Sequence, residues 1–401
     1  MTVSSRWTTP ARLATVAAGI VVAALSLIVT AGYINRLRAP DVSLTLPVTN
    51  GFAYASAAQR EFAQQSSDPL SQLSPQVSEK AIRYSLAGYS KEPLDSRAIR
   101  NLALDAHARG EDDSARALMN RAEQYSRRDL FSNLWLMLHD SNGADTKRPQ
   151  MLLDRALRVS RPARLPVLSA MVARLEDPAV HTMMTELLLE DPAWTLSFYQ
   201  AARLNRAVAA DVAKLTLLVA TPRDQLPEAY EVDLIRNLVS NGQFAEAIAL
   251  YNHWTNQPSY ATVRSPGFVG NGDLPPLDWQ TSSTGATAVL IRPQGGGLEV
   301  DTSHRNRVTL ARQVVLLQNA EHALDAKLKA PSANPPQIVL SCATDRRASA
   351  STFDFDREGV VRKEFRPRSN CRFHWLEVIW TPTPSNPTYQ GIVESVSISR
   401  R

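Results

Sequence analysis

The sequence predicts a multidomain α plus β chain: an N-terminal transmembrane helix, an irregular solenoid of short helical repeats, and a C-terminal antiparallel β-sandwich. Three observations carry this prediction. Residues 13 to 34 contain no charged side chain. From about 95 to 254 Ala and Leu recur at three- and four-residue spacing, with an internal match 34 residues apart. From 268 onward, short alternating or β-branched runs stand between turn signals. The expected borders are 1–12 for a cytoplasmic N-terminus, 13–34 for the span, 35–90 for a polar tether, 91–256 for the repeats and 268–401 for the sandwich. A chain of 401 residues with 44% hydrophobic and 21% charged content is ordinary globular material for two to three domains. The net charge of +5 is too small an excess for a nucleic-acid partner, and none is expected.

Leu13 to Ile34 is 22 residues long, enough at ~1.5 Å per residue to cross a ~30 Å hydrocarbon core. Arg6 and Arg12 precede it and favour a cytoplasmic N-terminus, although Arg36 and Arg38 follow it directly and nearly balance them. The leading expectation is a single-pass anchor in a bacterial inner membrane with the bulk of the chain periplasmic. Two alternatives stay open at this point: a cleaved signal peptide, with Val29-Thr30-Ala31 as the small-residue site, and the inverted topology. No cysteine stands just beyond the segment, which excludes a lipoprotein anchor. The tether is read from Gln64-Gln65-Ser66-Ser67-Asp68-Pro69 and the stretch from Ser71 to Pro75, with one short amphipathic piece near Ala57 to Gln65.

In the repeat region, Leu102, Leu118 and Ala122 are matched by Leu136, Leu152 and Ala156, 34 residues later, which is the tetratricopeptide period. Leu102-Ala103, Ala106, Gly110, Ala115 and Ala122 fit the small and apolar packing positions of that motif, with Gly110 in the turn between paired helices. A later unit, Leu234, Leu238, Gly242, Ala247 and Tyr251, repeats the spacing but carries Trp254 where Ala is usual. Between them Asp177-Pro178, Asp191-Pro192 and Thr221-Pro222 interrupt the helical pattern, because the residue before proline avoids the helical region. Trp194, Phe198 and Tyr199 are expected to pack between helices.

Gly and Pro crowd the stretch around 255 to 268, where a domain border is expected. Beyond it, eight runs read as strands: Thr287 to Arg292, Gly297 to Asp301, Arg312 to Leu317, Ala323 to Ala330, Gln337 to Cys342, Val360 to Phe365, Arg372 to Thr381 and Gly391 to Ser399. Gly295-Gly296-Gly297 reads as a hairpin turn. The two cysteines, Cys342 and Cys371, stand at strand ends in this sandwich. In an exported domain they are expected to form a disulfide, contributing roughly 3 kcal/mol on the chain-entropy model; in a cytosolic one they would be buried thiols.

No nucleophile elbow, zinc-protease helix or phosphate loop occurs, and the seven histidines lack ligand spacing, so no catalytic, cofactor or metal residues are expected. Asp354 with Asp356 is the tightest carboxylate pair, and Glu377 is the further carboxylate that a glycan-cleaving rival reading would use. Two candidate binding elements remain. One is the basic stretch including Arg357, Arg362, Lys363, Arg366, Arg368 and Arg372, suited to an anionic glycan or lipid headgroups. The other is the aromatic set Trp375, Trp380 and Tyr389, with Trp279 nearby, suited to stacking on sugar rings. Alternation sends Phe373 and Trp375 to one face of their strand and Trp380 to the other.

The stretch 268–401 resembles the jelly-roll sandwiches of carbohydrate-binding-module type. The resemblance rests on Asn271-Gly272-Asp273-Leu274 followed by Trp279, on Gly297-Leu298-Glu299-Val300, on Arg312-Gln313-Val314-Val315-Leu316 and on the run from Gly391 to Ile398. Those modules usually carry Asp where Glu394 stands, and a Gly-Tyr turn where Asn319-Ala320-Glu321-His322 stands. As a whole the chain is similar to uncharacterised membrane-anchored, tetratricopeptide-like proteins of alphaproteobacteria, some associated with exopolysaccharide gene clusters; Ser126-Arg127-Arg128-Asp129-Leu130 leading into Leu134-Trp135-Leu136 belongs to that likeness. The resemblance implies a setting, the envelope and polysaccharide assembly, without implying an activity, and glycan binding does not follow from it. The leading expectation is a non-catalytic envelope scaffold whose repeats hold a protein partner while the sandwich touches a glycan or another subunit. A cytosol-facing membrane adaptor is the alternative.

Overall fold

A computed structural model describes residues 9–46, 50–63, 73, 78–140, 147–219, 229–256, 262–269, 273–292, 296–330, 333–345, 350–368 and 370–401. Arg6, most of the expected tether from 64 to 77, Thr221-Pro222, Asn271-Gly272 and Gly295 lie outside the described residues. The chain divides into two compact units, Met1–Met171 with Glu190–Ser197, and Val172–Leu189 with Phe198–Arg401.

The first unit opens with α1 (Thr9–Arg38), 30 residues long. Within Ala14–Arg38 an 18-residue window reaches a mean hydropathy of 2.3, and Val16, Ile20, Val22 and Leu27 are exposed. A helix apolar on every side, whose most apolar window is buried against nothing in the chain, has the character of a membrane span by length and composition. Then come α2 (Pro40–Leu44), α3 (Gly51–Ala63) and α4 (Glu79–Lys91). The expectation of a polar tether over 35–90 is therefore corrected for the described part, where three helices stand. The reason is the small residues. Ala53, Ala55 and Ala58 are fully buried, and a Cβ added at Gly88 would lie 3.2 Å from the backbone of both Ala55 and Gly51. Helices α3 and α4 thus meet backbone to backbone, an approach only glycine and alanine permit.

Helical hairpins follow: α5 (Ser96–Ala108) with α6 (Asp112–Tyr125), and α7 (Leu130–Asp140) with α8 (Lys147–Val159), before α9 (Arg161–Val172). Side chains cap their starts, Asp95 accepting from the Arg97 amide and Asp129 from the Ser132 amide. The α5–α6 turn closes at Gly110, whose φ is +77°. Its amide donates to His107 O and that of Glu111 to Ala106 O, the paired bonds of a Schellman cap. Asp129 also takes a buried ion pair from Arg100, Nη1 to Oδ2 at 2.7 Å. Trp194, expected as a packing residue, is fully buried and donates its indole N–H to Asp154.

The second unit holds α10 (Pro178–Leu189), α12 (Ala209–Val219), α13 (Ala229–Ser240) and α14 (Phe244–Trp254) and the sandwich, while α11 (Thr195–Ala202) straddles the division. The α13–α14 turn repeats the first cap at Gly242, φ +77°, with the Gln243 amide on Leu238 O. The border expected near 255 to 268 falls inside this unit. Its Arg264 donates to the Tyr251 hydroxyl of α14, which bonds Asp278 at 2.7 Å. Phe244 of α14 stacks on Phe373 with ring centres 5.0 Å apart.

Among the described residues ten strands form two antiparallel five-stranded sheets. Sheet A contains β1 (Gln280–Thr281), β4 (Val308–Leu316), β9 (Phe373–Trp380), β6 (Gln337–Cys342) and β7 (Ser351–Asp354), in that order. Sheet B contains β2 (Thr287–Ile291), β3 (Leu298–Thr302), β10 (Tyr389–Arg400), β5 (His322–Leu328) and β8 (Val360–Phe365). All eight expected strands are present within a few residues of their bounds, and β1 and β7 are additional to them. Both are short edge strands, too brief for alternation to register. The core between the sheets is built from alternate residues, among them Leu298, Val300, Ala311, Val315, Ile338, Leu376, Val378 and Trp380.

Candidate functional site

Register fixes what the outer face of sheet A presents. Thr352, Val339, Glu377, Arg312 and Gln280 are successive cross-strand partners, a row running over all five strands on the face turned from the core. Trp375, two residues from Glu377, lies on the same face between Ser341 and Val314. The Arg312 guanidinium sits 4.8 Å from the centre of the Trp375 ring, and its Nε donates to Gln280 Oε1 at 2.9 Å. Stacking and that hydrogen bond hold the guanidinium flat. Burial pushes the Glu377 carboxyl above its ordinary range, against the opposing pull of Arg312, Arg307 and a hydrogen bond from Thr309. The Phe373 end of this face is closed by Phe244 of α14. What remains is a half-sheltered platform with an aromatic ring, a held cation and several hydrogen-bonding side chains. That combination suits a polyhydroxylated ligand whose ring has an apolar face.

Of the three aromatics expected to stack on sugars, Trp375 alone lies on this platform. Trp380 is fully buried and donates its indole N–H to Asn334 O; Tyr389 is 3% exposed, and burial pushes its hydroxyl up to about 12. Both belong to the core and present no ring to solvent, so their assignment as glycan contacts is corrected. Alternation separates the two faces of β9, but packing decides which is inner. Trp279 is likewise buried, its indole N–H on Ser265 O.

The basic residues Arg362, Lys363, Arg366 and Arg368 are all exposed, on or just past edge strand β8. The Arg362 side chain is 83% exposed and lies 3.8 Å from Asp325 on β5. Arg362 and Lys363 border a depression of about 300 Å³ that Asp354, Asp356 and Glu358 also line. These carboxylates already serve the local turn: Asp356 Oδ1 accepts from the Glu358 and Val360 amides, and Asp354 accepts from Gln337. The patch is of mixed charge.

Cys342 and Cys371 are joined by a disulfide, with Cα atoms 5.9 Å apart. Among the described residues no group of three or more His, Cys, Asp or Glu is arranged to hold a metal ion. In the first unit, Ile82, Leu86, Leu102 and Leu118 line an open apolar groove of about 430 Å³ along α4, α5 and α6, edged by Asp105 and Arg109.

Sequence reasoning missed Arg312 and Gln280. The one signal available was the alternation of β4, which sends Arg312 outward, but its meeting with Trp375 depends on a register that no local pattern specifies. Compared with known protein families and with curated proteins, the chain matches no family model and no curated protein.

Proposed function

We propose that this chain is a non-catalytic scaffold of the bacterial envelope, anchored in the inner membrane by α1 with its bulk in the periplasm. In this reading the helical hairpins are a tetratricopeptide-like solenoid that holds a protein partner in exopolysaccharide assembly or export. The sandwich contacts the glycan through the outer face of sheet A. The starts of α5 and α7, 34 residues apart, and the recurring glycine caps support the repeat reading. The apolar groove along α4, α5 and α6 is its natural contact surface. The strand order, with β10 between β3 and β5 and β9 between β4 and β6, supports reading the sandwich as a jelly roll. The disulfide supports an oxidising compartment.

The observation that carries the glycan contact is Arg312 laid over Trp375 on a polar, half-sheltered sheet face. The test is binding of the detergent-solubilised full chain to a polysaccharide array, wild type against Trp375→Ala. A stacked aromatic contributes enough that its loss weakens binding up to about tenfold. Equal binding by the variant, or no binding by the wild type to any polysaccharide, rejects the glycan contact.

A further inference from the structure

The exit of α1 is built as a site of its own. Arg36 lies in the last turns of the apolar helix, its guanidinium 3.4 Å from the centre of the Tyr33 ring and 5.1 Å from that of Phe52 on α3. Arg36 Nη1 is buried and has no hydrogen-bond partner among the described residues. Neither Arg36 nor Arg38 has a carboxylate within ion-pair distance among those residues. Arg60 of α3 reaches the same place, donating to Arg38 O and lying 3.5 Å from Asp41. The segment from 35 to 60 therefore sets three arginines against one aspartate.

This corner is also stiff. The Ser43 hydroxyl of α2 donates to Gly32 O of α1 at 2.9 Å, and the Ala39 amide donates to Asn35 O at 2.8 Å. Among the described residues α1 thus runs directly into α2 and is tied to it by side-chain and backbone hydrogen bonds. If 13–34 fills the hydrocarbon core, Arg36 and Arg38 stand at headgroup depth, with Tyr33 at the interface where its amphipathic ring belongs. A guanidinium held against two rings has lost part of its rotational freedom in advance. The residue is only partly buried, so its remaining N–H groups can face a phosphate, and their planar arrangement fits one.

We infer that Arg36, with Arg38 and Arg60 beside it, is a receptor for the phosphate of an anionic phospholipid, and that this contact fixes how the helical module stands on the bilayer. Phe52 belongs to α3 yet touches the same guanidinium, so lipid binding and module orientation share one side chain. The inference rests on the anchor reading above and is separable from it.

The experiment uses the full chain expressed in membranes. Extraction with alkaline carbonate comes first: release into the soluble fraction overturns the anchor reading and the inference with it. Retained protein is then placed in nanodiscs of phosphatidylcholine with phosphatidylglycerol, and the lipids that stay bound on transfer to detergent are counted by native mass spectrometry. Wild type is expected to retain phosphatidylglycerol selectively, and Arg36→Gln to lose about fivefold of that selectivity, the effect of one basic residue at an anionic surface. Arg36→Lys keeps the charge without the fork and should fall between the two. Inorganic phosphate added at millimolar concentration should not displace the lipid; displacement would mean a free-phosphate site and overturn the lipid assignment. Equal retention by wild type and Arg36→Gln, with both still membrane-bound, overturns the inference and leaves the anchor intact.

Discussion

Trp375 and Trp380 are five residues apart on one strand and have opposite fates, one under a guanidinium on the outer face and one sealed in the core. Their separation to opposite faces is legible in the sequence; their roles are not, because inside and outside are settled by what the facing sheet brings. Histidine makes the same point. His322 and His374 are 2% and 4% exposed, on different sheets, and Nδ1 of each lacks a partner among the described residues. Burial, and then the nearby His322, lower His374 to about 4. The folded state thus prefers neutral His374 while the unfolded chain takes up its proton near 6.5. Its contribution is whole above pH 6.5 and is lost as pH falls from there toward 4, by up to roughly 3 kcal/mol. Urea midpoints measured from pH 7.5 down to 4.5 should fall for the wild type more steeply than for His374→Leu. Parallel slopes would refute this origin of acid sensitivity.

At the scale of elements, strands and capped helices were the easiest features to read. Gly110 and Gly242 sit where left-handed caps need them, and the strands of the sandwich alternate in plain view. The 35–90 segment was misread because its visible composition is Ser, Gln and Pro, while what folds it is Ala and Gly, whose importance lies in how little they occupy. Gly88 is the critical contact: any larger side chain there meets the backbone of Ala55 and Gly51 and forces α3 from α4. Gly88→Val should cost about 1–3 kcal/mol by overpacking. Gly285→Ala, whose Cβ would enter open space, should be nearly neutral. Circular dichroism during urea unfolding of the two variants gives the comparison; a Gly88→Val protein as stable as the other would mean the helices do not rely on this approach.

For the molecule as a whole, the division into two units implies that stability is local. Reducing the Cys342–Cys371 bond should weaken the second unit by roughly 3 kcal/mol, the loop-closure value for its separation of 29 residues, and leave the first unit nearly unchanged. Limited proteolysis with and without reductant, with the fragments mapped by mass spectrometry, should show new cuts in the sandwich ahead of any in α3 to α8. Simultaneous loss of protection in both would contradict independent units. The placement of cysteines in the sandwich was plain from sequence, whereas the joining of α14 to it through Tyr251, Arg264 and Asp278 was not, since those residues are far apart in the chain and carry no shared pattern. One further property concerns time. The middle strand of sheet B is β10, the latest of the ten to be synthesised, and both β3 and β5 take their inner hydrogen-bonding partner from it. Both cysteines precede it, so the covalent loop is ready to close while half the sandwich is still waiting. A chain halted before Tyr389 would carry two additional open sheet edges, on β3 and β5, the form most exposed to aggregation and to proteases.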